Sequence, residues 1–407
     1  MDLNKLLGKN VSELKSCNKI AVATLIERFG PITILELSKR SSLSRATISN
    51  MLDELISEGL VKNTKKDKST GGRKPDKYNI ISNNRCMLGL SLGRYKINGL
   101  LTNLKAEVIE HRIANIVGDD IEKDIIPAAF DVISNIIRKN KEINKKIIGI
   151  GISFPGTINN VTGEIYDSPN IGGVGLNLKK IFSKYFNFPF YVENDANSIA
   201  LAEWWFGSAK NKESILYIYA GRGTGCGVLI NGEIYRGSNK VAADIGHSII
   251  DIDGEKCHCG AYGCVETYTS YSAIIKRFKE NAKRGASTTV NIDDFNKFNE
   301  FEIVDDIIDS AIRGDQLSFN IISETGRILG IACANLLNLF DPELIIIGGN
   351  LIKAGHILIE PFINVTLSRS KKIIRKRIKI EKSNLGSKAP AFGGVAIVLE
   401  NFFQTII

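Results

Sequence analysis

Two hydrophobic rhythms run along this chain. Over roughly the first 60 residues the apolar positions recur three and four apart, the period of helices that bury one face. "NKIAVATLIERFG" sets Ile20, Ala23, Leu25, Ile26 and Phe29 at helical spacing and stops at Gly30-Pro31. Thr33 followed by Glu36 is a capping-box pattern that opens a short second helix. Ser44 is a natural N-cap for a third, whose apolar residues Ile48, Leu52, Leu55 and Ile56 predict an inward face before Gly59 ends it. "VKNTKKDKSTGGRKPDKYNI" then reads as strand, basic glycine-containing hairpin, strand. Three helices and a hairpin in this order predict a winged helix-turn-helix.

After Asn84 the rhythm shortens to that of strands. "CMLGLSLGRYKINGLLTNLKAEVIEHRIA" predicts three strands with turns near Gly93 and at Asn103-Leu104-Lys105. A helix, "DIIPAAFDVISNIIRKN", and a buried strand ending in a Pro-Gly turn, "KIIGIGISFPGTI", follow. The same order recurs in "SILYIYAGRGTGCGVLINGEIYRG", in later helices and in the buried strand "LIIIGGN". Two halves with one order of elements predict a duplicated α/β fold with a cleft between two lobes.

Composition narrows the class. The 407 residues, 43% apolar, exceed what one core can organise. No apolar run reaches the roughly 18 residues that span a bilayer, and "MDLNKLLGKNVSELKS" lacks the build of a signal peptide. The expectation is a cytoplasmic protein with reduced thiols and no membrane partner. Net charge is +9, unevenly spread: residues 1–85 hold 16 basic and 9 acidic side chains, and the remaining 322 hold 37 and 35. Between Lys62 and Lys77 there are 7 basic residues against 2 acidic. A basic helical head of this kind points to DNA. Arg45, Thr47, Ser49 and Asn50, at the start of the third helix, suit base edges and phosphates in a major groove, and Arg73 and Lys74 at the wing tip suit backbone or minor groove.

"GEKCHCGAYGCVE" carries three of the seven cysteines within eight residues. Cys257, Cys259 and Cys264 supply three thiolates, and Gly260 and Gly263 allow the tight turns that bring sulfurs together. The spacing is not the Cys-x-x-Cys of redox centres. A structural zinc requires a fourth ligand, which His258 or His247 can supply.

Taken in order, "GISFPG", "ENDAN", "GTGCGVLINGEIYRG", "ADIGH", "CHCGAYGCVE" and "IIIGGN" resemble the ROK family of bacterial sugar kinases and sugar-responsive repressors. The likeness spans almost the whole chain, and the basic head with "TGGRKPDKYNI" places it with the repressor branch, similar to xylose repressors. The resemblance implies an N-terminal winged helix-turn-helix over residues 1–82 and a two-lobed, actin-like (ribonuclease H-like) α/β body. The lobes span residues 83–192 and 193–407, with a C-terminal helix (about 390–407) returning to the first. It assigns the fourth metal ligand to His247, and it places a sugar in the interlobe cleft against Asn194, Asp195, Asp244, His247 and Glu266. One departure stands out: Asp244 replaces the family's usual Glu in the element before His247.

ROK kinases open with Asp-x-Gly-Gly-Thr. Here the stretch is Ser91-Leu92-Gly93-Arg94-Tyr95, which lacks the metal-orienting carboxylate and crowds the phosphate space with Tyr95. The expectation is therefore a repressor and not an enzyme, with no catalytic residues. Its partners are operator DNA arranged as an inverted repeat, a sugar effector (xylose first, glucose second) and a second copy or more of the chain, as a homodimer or tetramer. Two rivals are an ATP-dependent sugar kinase with an appended head and a repressor controlled by a protein partner.

Overall fold

The computed structural model describes residues 11–64 and 75–405. Arg73 and Lys74 lie outside the described residues. The chain divides into two compact units, Met1–Asp195 with Pro390–Ile407, and Ala196–Ala389.

The head comprises α1 (Val11–Phe29), β1 (Ile32–Thr33), α2 (Ile34–Ser41), α3 (Arg45–Ser57), β2 (Val61–Thr64) and β3 (Lys77–Ile80). The strands form an antiparallel sheet in the order β1-β3-β2, with Ile32 opposite Tyr78 and Val61 opposite Ile80. The capping box expected at α2 is present: Thr33 Oγ1 accepts from the Glu36 amide at 3.2 Å, and the Glu36 carboxylate accepts from the Thr33 amide at 2.9 Å. Val22, Ala23, Ile26, Leu37, Ile48, Met51, Leu52 and Leu55 fill the core. Ile56 departs from expectation: it is 39% exposed, and Met51 closes the inward face instead. The stripe runs 48, 51, 52, 55, and Ile56 sits about 100° round the helix from Leu55, past the edge.

The body of the first unit follows as β4 (Cys86–Leu92), β5 (Lys96–Asn103), β6 (Val108–Asn115), α4 (Ile126–Lys139), β7 (Ile147–Phe154), β8 (Thr157–Ile158), β9 (Ile165–Asp167), α5 (Leu178–Ser183) and β10 (Phe190–Asn194). Its sheet has the order β10-β7-β4-β5-β6, an antiparallel meander extended on one side by two parallel strands. The strands flanked by neighbours on both sides read as continuous apolar runs because both faces are covered. Every residue of β4 is buried. Gly99 lets α4 close on the sheet: a Cβ there would lie 2.4 Å from a methyl of Val132.

In the second unit come α6 (Asp195–Trp205, all but its first residue), β11 (Ile215–Ala220), β12 (Thr224–Ile230), β13 (Glu233–Ile234), α7 (Glu266–Thr269), α8 (Tyr271–Lys283), α9 (Glu300–Ile312), α10 (Gln316–Phe340), β14 (Leu344–Gly348), α11 (His356–Ser368), α12 (Lys372–Arg375) and β15 (Lys379–Lys382). The sheet order is β13-β12-β11-β14-β15, again a meander extended by two parallel strands. The duplication read from the sequence is thus present strand for strand. Leu216, Ile218, Ile345 and Ile347 pack one face of this sheet under α8, α9 and α10. The last helix, α13 (Ala389–Gln404), lies on β4 and β7 of the first unit. Glycines permit this approach: a Cβ on Gly89 would meet the Ala391 carbonyl at 2.1 Å, and one on Gly151 the Gly394 carbonyl at 2.0 Å.

Candidate functional site

Recognition by the head would fall to α3. Ser44 caps it, its hydroxyl accepting from the Thr47 amide at 3.1 Å. Arg45 and Asn50 are exposed and Ser49 is half-buried; Asn50 lies on the side of the helix away from Ile48, Leu52 and Leu55, whereas Arg45, at the first helical position, lies in line with Ile48 and Leu52. Thr47 has a second task, because its hydroxyl lies 2.8 Å from that of Ser44.

The cysteine loop is a miniature hairpin. The Cys257 amide donates to the Ala261 carbonyl at 2.7 Å and the Gly263 amide to the Glu255 carbonyl at 2.8 Å. Gly263 has φ +65°, and a Cβ there would fall 1.6 Å from the Asp251 carbonyl, so the turn admits no other residue without moving. The hairpin carries Cys257, Cys259 and Cys264 to His247, which ends a short 3₁₀ turn. One ligand atom from each of these four residues lies within 4.8 Å of every other, a set capable of holding a metal ion. Cys257 Sγ is 3.5 Å from His247 Nδ1, and Cys259 Sγ is 3.7 Å from Cys264 Sγ. His258, the other imidazole in reach, places its Nδ1 3.7 Å from Cys257 Sγ and stacks edge-on against the His247 ring at 4.8 Å.

Burial in the loop opposes ionisation of two of its three thiols. Burial pushes the Cys264 thiol up to about 12, and the neighbouring sulfurs add to that rise. Burial likewise raises Cys257, whereas the Ala261 amide lowers Cys259. Cys257 and Cys264 therefore stay mostly protonated unless a positive charge offsets the cost of making thiolates. The far nitrogen of His247, Nε2, is 4.0 Å from Asp244 Oδ2, beyond hydrogen-bond distance.

Immediately after Cys264 and Val265 the chain turns into α7, whose first residue is Glu266. Its carboxylate accepts from the Thr224 amide at 3.2 Å, at the head of β12. Gly223 and Gly246 leave room for it: a Cβ on either would lie 3.2 and 2.9 Å from Glu266 Oε2. The "GTGCG", "ADIGH" and "CHCGAYGCVE" stretches, separate in sequence, thus converge on one carboxylate. Residue patterns alone do not single out Thr224. Its only signal in the sequence is the glycine run around it, which has the look of a phosphate loop.

Asn194 and Asp195 belong to the first unit, at the end of β10 and the first position of α6. The Asn194 amide side chain donates to the Gly156 carbonyl at 3.1 Å, tying the "ENDAN" and "GISFPG" stretches together. In the degenerate first turn, Ser91 is buried within β4. Arg94 donates to the Asn170 carbonyl at 3.3 Å and pairs with Asp119 at 2.9 Å, so a cation and its partner occupy the turn.

A winged-helix head followed by a duplicated, actin-like kinase-fold body defines a DNA-binding regulator built on a sugar-kinase scaffold. The chain belongs to the ROK family, whose model matches residues 87–401, while a MarR family model matches residues 18–69. It is 33% identical over 401 residues to the xylose repressor of Caldicellulosiruptor bescii, covering 97% of this chain and 98% of that one. It is 30% identical over 401 residues to the DNA-binding transcriptional dual regulator NagC of Escherichia coli K12, covering 98% and 96%. Among solved structures, a ROK family transcriptional regulator described as a homolog of the E. coli MLC protein matches with TM-score 0.80 and 28% identity, over 96% of this chain and 97% of that one. A ROK family glucokinase from Streptomyces griseus, in complex with glucose and AMPPNP, matches with TM-score 0.65 and 25% identity, over 76% and 98%. The chain therefore stands with the family's repressors and not its enzymes.

Proposed function

We propose that this protein is a zinc-containing transcriptional repressor of a carbohydrate operon that binds its operator through α3 and the wing and is released by a sugar. The observation that carries the reading is the union of a winged-helix head with a ROK body along a full-length likeness to repressors of xylose and N-acetylglucosamine. Xylose is the first candidate effector, because the xylose repressors share most identity among the named relatives.

Zinc fits the four-residue cluster. Bonds of about 2.3 Å to sulfur and about 2.0 Å to nitrogen at tetrahedral angles imply edges of roughly 3.8 Å between sulfurs and roughly 3.5 Å between sulfur and nitrogen. The observed 3.7 and 3.5 Å match both. Three cysteines and His247 fill all four positions, so the metal supplies structure and no open coordination site. The chain's own residues do the binding. In this reading the cysteine hairpin fixes the start of α7 so that Glu266 meets a sugar hydroxyl, and Asp244 and the His247 Nε2–H add an acceptor and a donor. Asn194 and Asp195 complete the set, Asp195 as a hydroxyl acceptor and not a base. The shorter Asp244 lengthens its reach to the sugar or inserts a water. Ser91 and the Arg94–Asp119 pair argue against a bound nucleotide.

Thermal unfolding of the purified chain with a panel of pentoses, hexoses and amino sugars tests the site. Ligand at 100 times its Kd adds about 2.7 kcal/mol. One sugar is expected to raise Tm, with Glu266→Gln and Asp195→Asn abolishing the rise. A sugar that still stabilises both variants would overturn the assignment.

A further inference from the structure

The body of the chain is nearly neutral, but one stretch of it is not. Residues 369–382, "RSKKIIRKRIKIEK", hold eight basic side chains and one acidic, a balance of +7, against 29 basic and 34 acidic in the rest of residues 86–407. All eight are exposed: Arg369, Lys371, Lys372, Arg375, Lys376, Arg377, Lys379 and Lys382. None pairs with a carboxylate among the described residues. Arg375 alone has a structural task, donating to the Ser368 and Ser370 carbonyls at 3.2 and 3.0 Å.

The stretch is an ordered part of the fold and not a solvated tail. Asn338 on α10 fixes its start, donating to the Arg369 carbonyl at 3.3 Å and accepting from the Lys371 amide at 3.1 Å. Ile374 is buried in the core of the second unit. Its end is β15, parallel to β14 with Lys379 opposite Leu344 and Lys382 opposite Ile347. Lysines on an edge strand ordinarily deter unwanted strand pairing. That explains Lys379 and Lys382, and leaves the six that precede the strand.

Like charges held this close repel one another, and a chain-long partner of opposite sign relieves that repulsion. A membrane surface suits the segment poorly, since α12 is too short to bury an apolar face and Ile373 is the one large apolar side chain the stretch exposes. We propose that residues 369–382 are a second DNA-contacting surface, one that grips the phosphate backbone of duplex DNA without reading its sequence. The inference rests on the reading of the chain as a DNA-binding regulator and adds to it a surface outside the head.

Salt dependence tests it, because the slope of log Kobs against log salt flattens by about 0.9 for every phosphate that the protein ceases to neutralise. The full chain and the variant K371Q/K372Q/K376Q/R377Q, whose side chains make no internal hydrogen bonds, are titrated with a mixed-sequence duplex of about 60 base pairs. The expected result is a slope flatter by about 2 or more and at least tenfold weaker binding at low salt. An unchanged slope would overturn the proposal, and so would a loss confined to phosphatidylserine vesicles with DNA binding intact. A head variant, R45Q/N50A, separates the two readings. If it binds genomic promoter DNA like the parent chain, the head assignment fails, whereas the four-residue variant judges the body surface alone.

Discussion

Cys264 illustrates how much a single side chain carries here. It is fully buried, its thiol lies beside another sulfur, and the residue after the next is Glu266. Replacing it by serine removes one of the four groups gathered at the loop and leaves two thiols and an imidazole. If the loop holds zinc as proposed, Cys264→Ser is expected to reduce bound zinc to near zero, measured by plasma mass spectrometry, and both this substitution and chelation of the parent are expected to lower Tm. Full zinc occupancy in the variant would remove Cys264 from the ligand set. The cysteines are legible in the sequence because their spacing is local, and Glu266 is legible by its place after them. Thr224 is not. The bond between the Thr224 amide and Glu266 joins residues 42 apart, and a backbone N–H leaves no signature in composition. Ile56 misleads for the opposite reason: its spacing is right, but the core closes one position short.

At the scale of elements, α10 is the longest helix described and its N-terminus depends on one carboxylate. Asp315 accepts from the Ser318 amide at 2.8 Å and from the Thr289 amide at 2.6 Å. Burial alone would raise its pKa, but these backbone donors outweigh it and hold the group at about 2. With an unfolded value near 4, the carboxylate's contribution is fully present above about pH 4 and is lost as pH falls through about 2. Asp315→Ala should cost about 1–2 kcal/mol at neutral pH and flatten the decline in stability between about pH 4 and pH 2. Urea unfolding across that range measures both, and parallel curves for the two proteins would contradict the assignment. The capping box and N-caps of the head are legible because cap and partner lie three residues apart. The tie from Asp315 to Thr289 reaches 26 residues back and is not. The two sheets are legible as a repeated order of strands, whereas their shared topology, a meander widened by parallel strands, emerges only from the pairing.

For the whole molecule the question is whether sugar and DNA communicate. An effector can shift operator affinity only by its differential affinity for the two states, typically 1–3 kcal/mol, or about 5- to 150-fold. Neither the preferred sugar nor the sign of its effect is written in the sequence, because both depend on contacts of a few hydroxyl groups and on the balance between conformations. Relatives named for xylose and for N-acetylglucosamine fall within a few per cent identity of each other against this chain, so both sugars belong in the test. The most direct measurement is a gel-shift titration of the full chain on its own promoter DNA with xylose, glucose and N-acetylglucosamine. The account predicts that one sugar, xylose foremost, weakens operator binding at least fivefold and that Glu266→Gln binds the operator normally but no longer responds. Operator affinity indifferent to every sugar in the panel would contradict it.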